Sequence, residues 1–505
     1  MEPIILSIIT FSPLLGALLI LFIPREEEWE IKLLATFSTF CSFILSLYLF
    51  VTFDRSLGSE TLQFVERIPW IPKLGISYIM GVDGFNAPMV LLSGILAFAC
   101  ILASFRITHR TKEYFILTLV CLTGVIGVFS TQDLFFFVVF YEMASIPMYF
   151  LIGIWGSDKS GNGKTVKKEY AALKLTLYLQ LGGGLVLLGI LGVYFLTVLP
   201  QGMQRTFFLH DLIQYGNLAK HYQMILFPLI FLGFAIEAGF WPLHTWLPDG
   251  HSAAPTALSM ILAGVLLKMG GYGMLKIAIG LAPQGALVWL DIFIAFGVIN
   301  IIYGALCAMN QTDIKYMIAY SSVSHMGFVT LGIAARNTAG FNGAIFQMFS
   351  HGIITALLFA IAGLLYEKAH TRSMPKLGGL AVKMPYLATF FILGGLASLG
   401  LPGMSGFVAE FLVFIAVFKA HYIIAGALAI TGIVLTAIYI LRAVQRIFFG
   451  ALPDGYLDIK DLTGIEGSHL VLLSLVMIVF GVYPRLLIDV MSPSTEYLRR
   501  LLMGQ

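Results

Sequence analysis

The chain has 505 residues, of which 59% are hydrophobic and only 11% are charged, and its formal net charge is +3. Soluble domains carry about 25% charged residues, so this composition excludes an ordinary soluble protein and indicates a polytopic membrane protein. The four cysteines stand apart in apolar stretches without CxxC spacing, which argues against a disulfide framework, a metal site or an iron–sulfur site. The sequence also contains no phosphate loop, nucleophile elbow or nucleic-acid-binding feature.

Apolar stretches of roughly 20 residues, the length that crosses a bilayer, predict an all-α fold with about fourteen transmembrane helices. The first stretch lacks the basic start and cleavage site of a signal peptide and is predicted to be a retained helix. Lys and Arg, abundant in the loop at 157–169, favour an external N-terminus and, with an even helix number, an external C-terminus. The predicted spans are 3–24, 31–53, 82–105, 113–131, 133–155, 170–198, 223–242, 255–279, 286–309, 316–335, 342–367, 386–419, 421–448 and 468–491.

Two of the predicted helices contain breaks. The segments FAIEAGFWPLHTWLPDGH and LASLGLPGMSGFVAEFLVF both concentrate glycine and proline. Proline removes a backbone donor and glycine relaxes the backbone, so both helices are expected to be discontinuous. The breaks lie five helices apart, and this odd offset indicates two inverted five-helix repeats. We therefore assign helices 1–3 to residues 1–110, the first repeat (helices 4–8) to 111–280, the second repeat (helices 9–13) to 281–450, and a loop with helix 14 to 451–505.

Ionisable side chains lie within these hydrophobic helices in both halves of the chain. Each ionised group at a helix centre costs about 2.5–3.5 kcal/mol on insertion scales, so their number indicates a path for protons or ions. The candidate proton-transfer residues are Glu142, Lys174, Glu237, Lys268, His325, His351 and Glu410.

The surroundings of these residues leave structural alternatives open. Glu142 lies between Asp133, predicted to cap the helix, and Pro147, which loosens it, and a structural hydrogen bond is the alternative to proton transfer. Lys268 is followed by glycines that allow close helix approach. Lys174 lies one turn into its helix and either snorkels to the interface or contributes to the path.

The histidines suit a relay because their unperturbed pKa is near 6.5. A single buried histidine is usually a satisfied core group, but His325 and His351 occur in adjacent helices of the second half. His244 follows the first break, near a bend or an entry point.

Four motifs resemble the antiporter-like subunits of respiratory complex I. They are FYEMASIPMYFLIG at 140–153, WPLHTWLPDGHSAAPTALSMILAGVLLKMGGYG at 241–273, AYSSVSHMGF at 319–328 and GLPGMSGFVAEF at 400–411. The resemblance extends over nearly the whole chain and is closest to the M-type subunits. M-type subunits have glutamate in the broken twelfth helix, where the L-type and N-type subunits have lysine, and Glu410 holds that position.

The resemblance implies a role for each matching residue. Glu142 would modulate a partner lysine, Lys268 would bridge the two halves, His325 and His351 would continue the hydrophilic axis, and Glu410 would connect to the exit or the next subunit. The chain departs from the family pattern at Glu237, where the family usually has that partner lysine. Either one carboxyl stays protonated, or Lys268 or Lys174 supplies the counter-charge.

The resemblance predicts a proton-translocating membrane-arm subunit of an NADH:quinone oxidoreductase without a redox centre of its own. FMN, iron–sulfur clusters and quinone are expected in partner subunits, with L-type and N-type subunits as neighbours. The expected location is a bacterial inner membrane or an organellar energy-transducing membrane. The alternatives are a subunit of a multi-subunit cation/proton antiporter, a subunit of an energy-converting hydrogenase or formate-linked complex, and a structural spacer with frozen charge pairs.

Overall fold

A computed structural model describes residues 4–56, 61–161 and 164–504. The first residue of the predicted span 3–24 and the centre of the loop at 157–169 lie outside these ranges. Two small antiparallel hairpins accompany the helices, β1 (Gln63–Ile71) with β2 (Ile76–Val82), and β3 (Lys159–Gly161) with β4 (Lys164–Val166).

Helices form most of the described chain. In chain order they are α1 (Ile5–Ile20), α2 (Glu28–Thr52), α3 (Ala87–Ala103), α4 (Thr111–Ser130), α5 (Leu134–Trp155), α6 (Lys168–Leu196), α7 (Leu209–Gln214), α8 (Lys220–Glu237), α9 (Trp246–Ala253), α10 (Thr256–Leu281), α11 (Pro283–Met309), α12 (Ile314–Ala334), α13 (Thr338–Ala369), α14 (Pro385–Ser398), α15 (Ser405–Lys419), α16 (Ile423–Phe448), α17 (Gly464–Val482) and α18 (Arg485–Met503).

Ten helices of the described ranges are long and apolar enough to cross a membrane, and α1, α3 and α14 are shorter apolar helices. The apolar windows of α10 and α13 are completely buried, and that of α12 is 94% buried. A helix that is apolar on all sides must be enclosed by other helices or by lipid. The three helices that carry Lys268, His325 and His351 therefore form the centre of the bundle.

The prediction was wrong in three places. The all-α assignment missed the two hairpins, and residue 82, where the third span was expected to begin, is the last residue of β2. The fourteenth helix does not continue to 491, because α17 ends at Val482 and α18 begins at Arg485. Pro484 explains this ending, since the residue before a proline is driven out of the helical region. The segment 451–505 thus contains two long helices, and α18 combines one apolar face with a polar one.

One end of the bundle, which we call the β1–β2 side, carries the first hairpin, α7 and α18. The amide of Gly84 donates a 3.0 Å hydrogen bond to Ser494 Oγ on α18, and the amide of Leu209 donates one of 2.9 Å to the Gln132 carbonyl. The start of α1 lies at the same end, because the Leu6 amide donates to Glu66 on β1. With the predicted external N-terminus, the β1–β2 side faces outward.

Both predicted helix breaks are confirmed. The first separates α8 from α9 and the second separates α14 from α15. Gly239 and Gly400 follow the two broken ends with φ values of +75° and +77°. Such values favour glycine because a Cβ clashes in the left-handed region. In both halves, the broken helix is therefore interrupted at a glycine in the left-handed conformation.

Aspartates begin the second helix of each predicted repeat. Asp133 accepts hydrogen bonds from the amides of Phe135 and Phe136, which confirms the predicted cap, and Asp313 does the same at the start of α12. The same kind of aspartate cap therefore begins both α5 and α12.

Gly182 and Gly184, the first and last of three consecutive glycines in α6, allow a direct test of helix packing. A Cβ on Gly182 would lie 2.8 Å from the Gly233 carbonyl oxygen on α8, whereas a Cβ on Gly184 meets no atom within 4 Å. We expect Gly182→Ala to force α6 and α8 apart, costing about 1–3 kcal/mol as overpacking does. Gly184→Ala, with the same helix-propensity change, is the matched control. Thermal denaturation of the purified complex measures the difference, and equal midpoints for the two variants would contradict it.

Candidate functional site

Lys268 lies at the centre of α10 and is completely buried. Its Nζ lies 2.6 Å from Nδ1 of His351 on α13 and also donates a hydrogen bond to the Ala263 carbonyl oxygen. A Cβ on Gly271 would lie 2.5 Å from the sulfur of Met348, so glycine at 271 lets α10 and α13 approach closely. A π-helical segment, Leu262–Leu266, ends two residues before Lys268, and such distortions occur frequently at functional sites.

His325 on α12 connects the next groups. Its Nδ1 lies 3.5 Å from Glu410 Oε1 and 3.2 Å from Gln347 Nε2, and its Nε2 lies 3.2 Å from Ser398 Oγ. The rings of His325 and His351 have their centroids 5.3 Å apart. Lys268, His351, His325 and Glu410 therefore form a row, which we call the polar line. Its central step, from His351 to His325, is a ring contact, and His351 Nε2 has no hydrogen-bond partner among the residues that the structure describes.

The second helix break is built against the end of the polar line. A Cβ on Gly400 would lie 2.7 Å from Glu410 Oε2, so a side chain at this position would displace the carboxyl. Ser405, the first residue of α15, exchanges a 2.8 Å hydrogen bond with Ser350 of α13. The break thus positions Glu410 and joins its helix to the one that carries His351.

Each member of the polar line is a side chain that can bind and release a proton. An imidazole accepts a proton on one nitrogen and releases one from the other, so two histidines between an amine and a carboxyl form a relay. Proton transfer requires heavy atoms within hydrogen-bond reach or one bridging water. The 2.6 Å separation of Lys268 and His351 lies within hydrogen-bond reach, and the 3.5 Å separation of His325 and Glu410 is an ion-pair distance.

Glu142 occupies a different environment on α5. It is half-buried, and Gln180 of α6 donates a 2.5 Å hydrogen bond to its Oε2. Its Oε1 would lie 3.2 Å from a Cβ on Gly183, so the glycines of α6 also make room for this carboxyl.

Glu237 ends α8 and is completely buried. Neither of its carboxyl oxygens has a hydrogen-bond partner among the residues that the structure describes. Lys268 contacts His351, and Lys174 forms a 2.7 Å ion pair with Asp249, so neither lysine neutralises Glu237. Neither of the two lysines that the family resemblance offered as a counter-charge is therefore in contact with Glu237.

Lys174 lies outside the polar line and forms an ion pair instead. Its Nζ contacts Asp249 of α9, which also accepts a 3.2 Å hydrogen bond from the Tyr316 hydroxyl. His244 lies in the first break, buried, with its ring centroid 5.1 Å from that of Tyr303. Within the described ranges, neither His244 ring nitrogen has a hydrogen-bond partner.

Sequence reasoning missed several partners of the predicted residues. Gln180, Gln347 and Ser398 contact Glu142 and His325, but neutral polar residues in a helix carry little signal of their own. Asp249 had a usable signal, because it is an acidic residue next to Pro248 within the first break. An intramembrane charge requires a partner, so the sequence could have predicted that Asp249 pairs with a cation.

Comparison with known proteins places the chain in a family. Residues 131–436 match the model of the NADH:quinone oxidoreductase/Mrp antiporter transmembrane family. NADH-quinone oxidoreductase subunit M of Rickettsia bellii is 39% identical over 98% of both chains, and NAD(P)H-quinone oxidoreductase chain 4 of Gloeobacter violaceus is 36% identical over 98% of this chain and 93% of the relative.

Solved structures show the same relationship. A chain of respiratory complex I from Thermus thermophilus superposes with a TM-score of 0.87 at 31% identity over 99% of both chains. A chain of the Mrp complex from Dietzia has a TM-score of 0.82 at 22% identity, over 99% of both chains, which shows a shared fold. The protein therefore belongs to the NADH:quinone oxidoreductase/Mrp antiporter family of integral membrane subunits.

Proposed function

We infer that this chain is the M-type membrane subunit of an NADH:quinone oxidoreductase and that it moves protons across the membrane. The observation that carries the inference is the polar line, in which Lys268, His351, His325 and Glu410 connect four central helices at hydrogen-bonding or near-contact distance. Moving one charge against 100 mV costs about 2.3 kcal/mol, which a change in the protonation of such buried groups can match.

In the proposed mechanism, the two halves of the chain exchange protons through Lys268. Glu142 acts as the ionised carboxylate of the first half, and Glu237 as a protonated acid that gives up its proton transiently. Two carboxyls in contrasting surroundings can take these opposite roles, one hydrogen-bonded by an amide and one without a donor. Lys174 and His244 line the same break, with Lys174 held by Asp249.

The proposal includes the fourteen-helix architecture with two inverted five-helix repeats at 111–280 and 281–450. The matching glycine breaks and aspartate caps support it. Asp133 pairs through its backbone with Phe208, and Asp313 pairs in the same antiparallel manner with Ser373. Each cap is therefore joined to the connection that precedes the broken helix of its own repeat.

We further propose that electron transfer takes place in partner subunits that hold FMN, iron–sulfur clusters and quinone. L-type and N-type antiporter-like subunits are the proposed neighbours in the membrane. The half-exposed polar pair Glu142–Gln180 supports such an assembly, because a charged group facing outward at membrane depth requires a protein or water neighbour.

The antiporter alternative shares the fold but has less support. The Mrp structure is only 22% identical, whereas the NADH-quinone oxidoreductase relatives named above are 36% and 39% identical over nearly the full chain. Glu410 also matches the glutamate of M-type subunits. No contact in the described ranges favours the hydrogenase alternative.

Glu142→Gln tests the proposed function in inverted membrane vesicles that contain the assembled complex. We expect NADH-driven quinone reduction and proton uptake both to fall at least about tenfold, because glutamine keeps the side-chain shape but cannot exchange a proton. Glu26→Gln, at an exposed loop position, is the matched control. Native rates of both activities would remove Glu142 from the path, and sodium-dependent proton movement in the same vesicles would then favour the antiporter alternative.

A further inference from the structure

A buried ion pair lies at the β1–β2 end of α10, away from the polar line. Lys276 Nζ is 2.7 Å from Asp83 Oδ2, and the side chains are only 6% and 13% exposed. The same Nζ donates a 3.1 Å hydrogen bond to Gln132 Oε1. Asp83 follows β2 and Gln132 precedes α5, so three separate parts of the chain meet at this lysine.

The ion pair borders a small pocket that opens to the β1–β2 side. The pocket measures about 50 Å³. Its polar lining residues are Asp83, Gln132, His210, Lys276 and Tyr497, and its apolar lining includes side chains of α7 and α18. A water molecule needs roughly 10–15 Å³ of such volume and two to four polar partners. Waters in this pocket would have five polar side chains to contact.

A row of titratable side chains leads from the membrane centre to this pocket. Lys268, Tyr272 and Lys276 follow one another at intervals of four residues along α10, which places them on one face. The Tyr272 ring centroid is 5.6 Å from Lys276 Nζ. Eight residues of helix cover about 12 Å, so the row spans much of the distance from Lys268 to the surface.

The helix itself is distorted at both ends of this row. One π-helical segment, Leu262–Leu266, precedes Lys268, and a second, Gly273–Ala278, contains Lys276. π-Helical turns in long helices are often associated with functional sites. The distortion is thus confined to the neighbourhood of the two lysines.

We propose that Lys276 and Asp83 form a proton-transfer site that connects Lys268 with solvent on the β1–β2 side. The inference rests on the proposed function, because it supplies a branch of the same proton path. The Lys276 ammonium releases a proton to Asp83 or to pocket water, and the resulting amine regains one from Lys268 through the Tyr272 hydroxyl. Only N–H and O–H bonds break and form, so no other reactant is needed.

The competing explanation is a structural ion pair that fastens the end of the hairpin to α10. Lys276→Arg separates the two, because arginine keeps the charge and the ion pair but does not release its proton in proteins. We expect this variant to assemble normally and to move fewer protons per quinone reduced in inverted vesicles. Arg336→Lys, in the ion pair with Asp291 outside the row, is the control and should keep the native ratio.

Tyr272→Phe provides a second test that preserves packing, since it removes only the hydroxyl. We expect a lowered proton-to-quinone ratio here too, and this variant decides the matter if Lys276→Arg does not assemble. A native ratio in Tyr272→Phe, or in an assembled Lys276→Arg, overturns the inference. If Lys268→Met abolishes pumping while these variants pump normally, the proposed function stands and only the branch at Lys276 is wrong.

Discussion

Lys268→Met is expected to abolish coupled activity. Methionine fills the buried site but carries no proton, so the connection between the two halves is lost at the residue that contacts His351. We expect proton uptake and NADH-driven quinone reduction in inverted vesicles to fall at least about tenfold, equivalent to ~1.4 kcal/mol in the barrier.

Two further variants separate proton exchange from charge and packing. Lys268→Arg keeps a permanent positive charge and should fail as methionine does, because arginine does not deprotonate. Lys383→Met, at an exposed position, controls for loss of a lysine and should remain native. An active Lys268→Arg variant would show that only the charge is required, and the relay through His351 would then be wrong.

Glu237→Gln is expected to assemble normally and to lower coupled proton uptake about tenfold. The amide resembles a protonated carboxyl in shape and charge, so the resting structure should survive, but it cannot release a proton to the path. Infrared difference spectra should lose the deuteration-sensitive carbonyl band of a protonated carboxylic acid in this variant. Proton uptake at the native rate would make Glu237 a neutral space-filling group.

Glu237→Lys is the complementary change. It introduces the residue that the family resemblance predicts at this position and places an ammonium in the same half as Glu142. We expect it to retain more coupled activity than Glu237→Gln, because a lysine–glutamate pair can again exchange a proton. Activity below that of the glutamine variant would show that the first half is adapted to two carboxyls.

The sequence predicted the two breaks and the central charged residues because each has a strong local cause. Glycine and proline disrupt helices wherever they occur, and an ionised side chain is costly in any apolar helix. The hairpins and α18 were missed because no comparably strong local signal marks them. Most of β1, β2 and α18 lies between or after the predicted hydrophobic spans, and the structure of these elements depends on packing against one end of the bundle.

The sequence by itself determined the membrane class, the family and the residues able to carry protons, since composition and motifs are properties of the chain alone. Only the tertiary structure decided how these residues are connected. His351 and His325 lie between Lys268 and Glu410 because four helices bring these residues together, although the two ends are 142 positions apart in the sequence. The partners of Lys174 and Lys276 come from distant segments, so their ion pairs could not be read from local sequence.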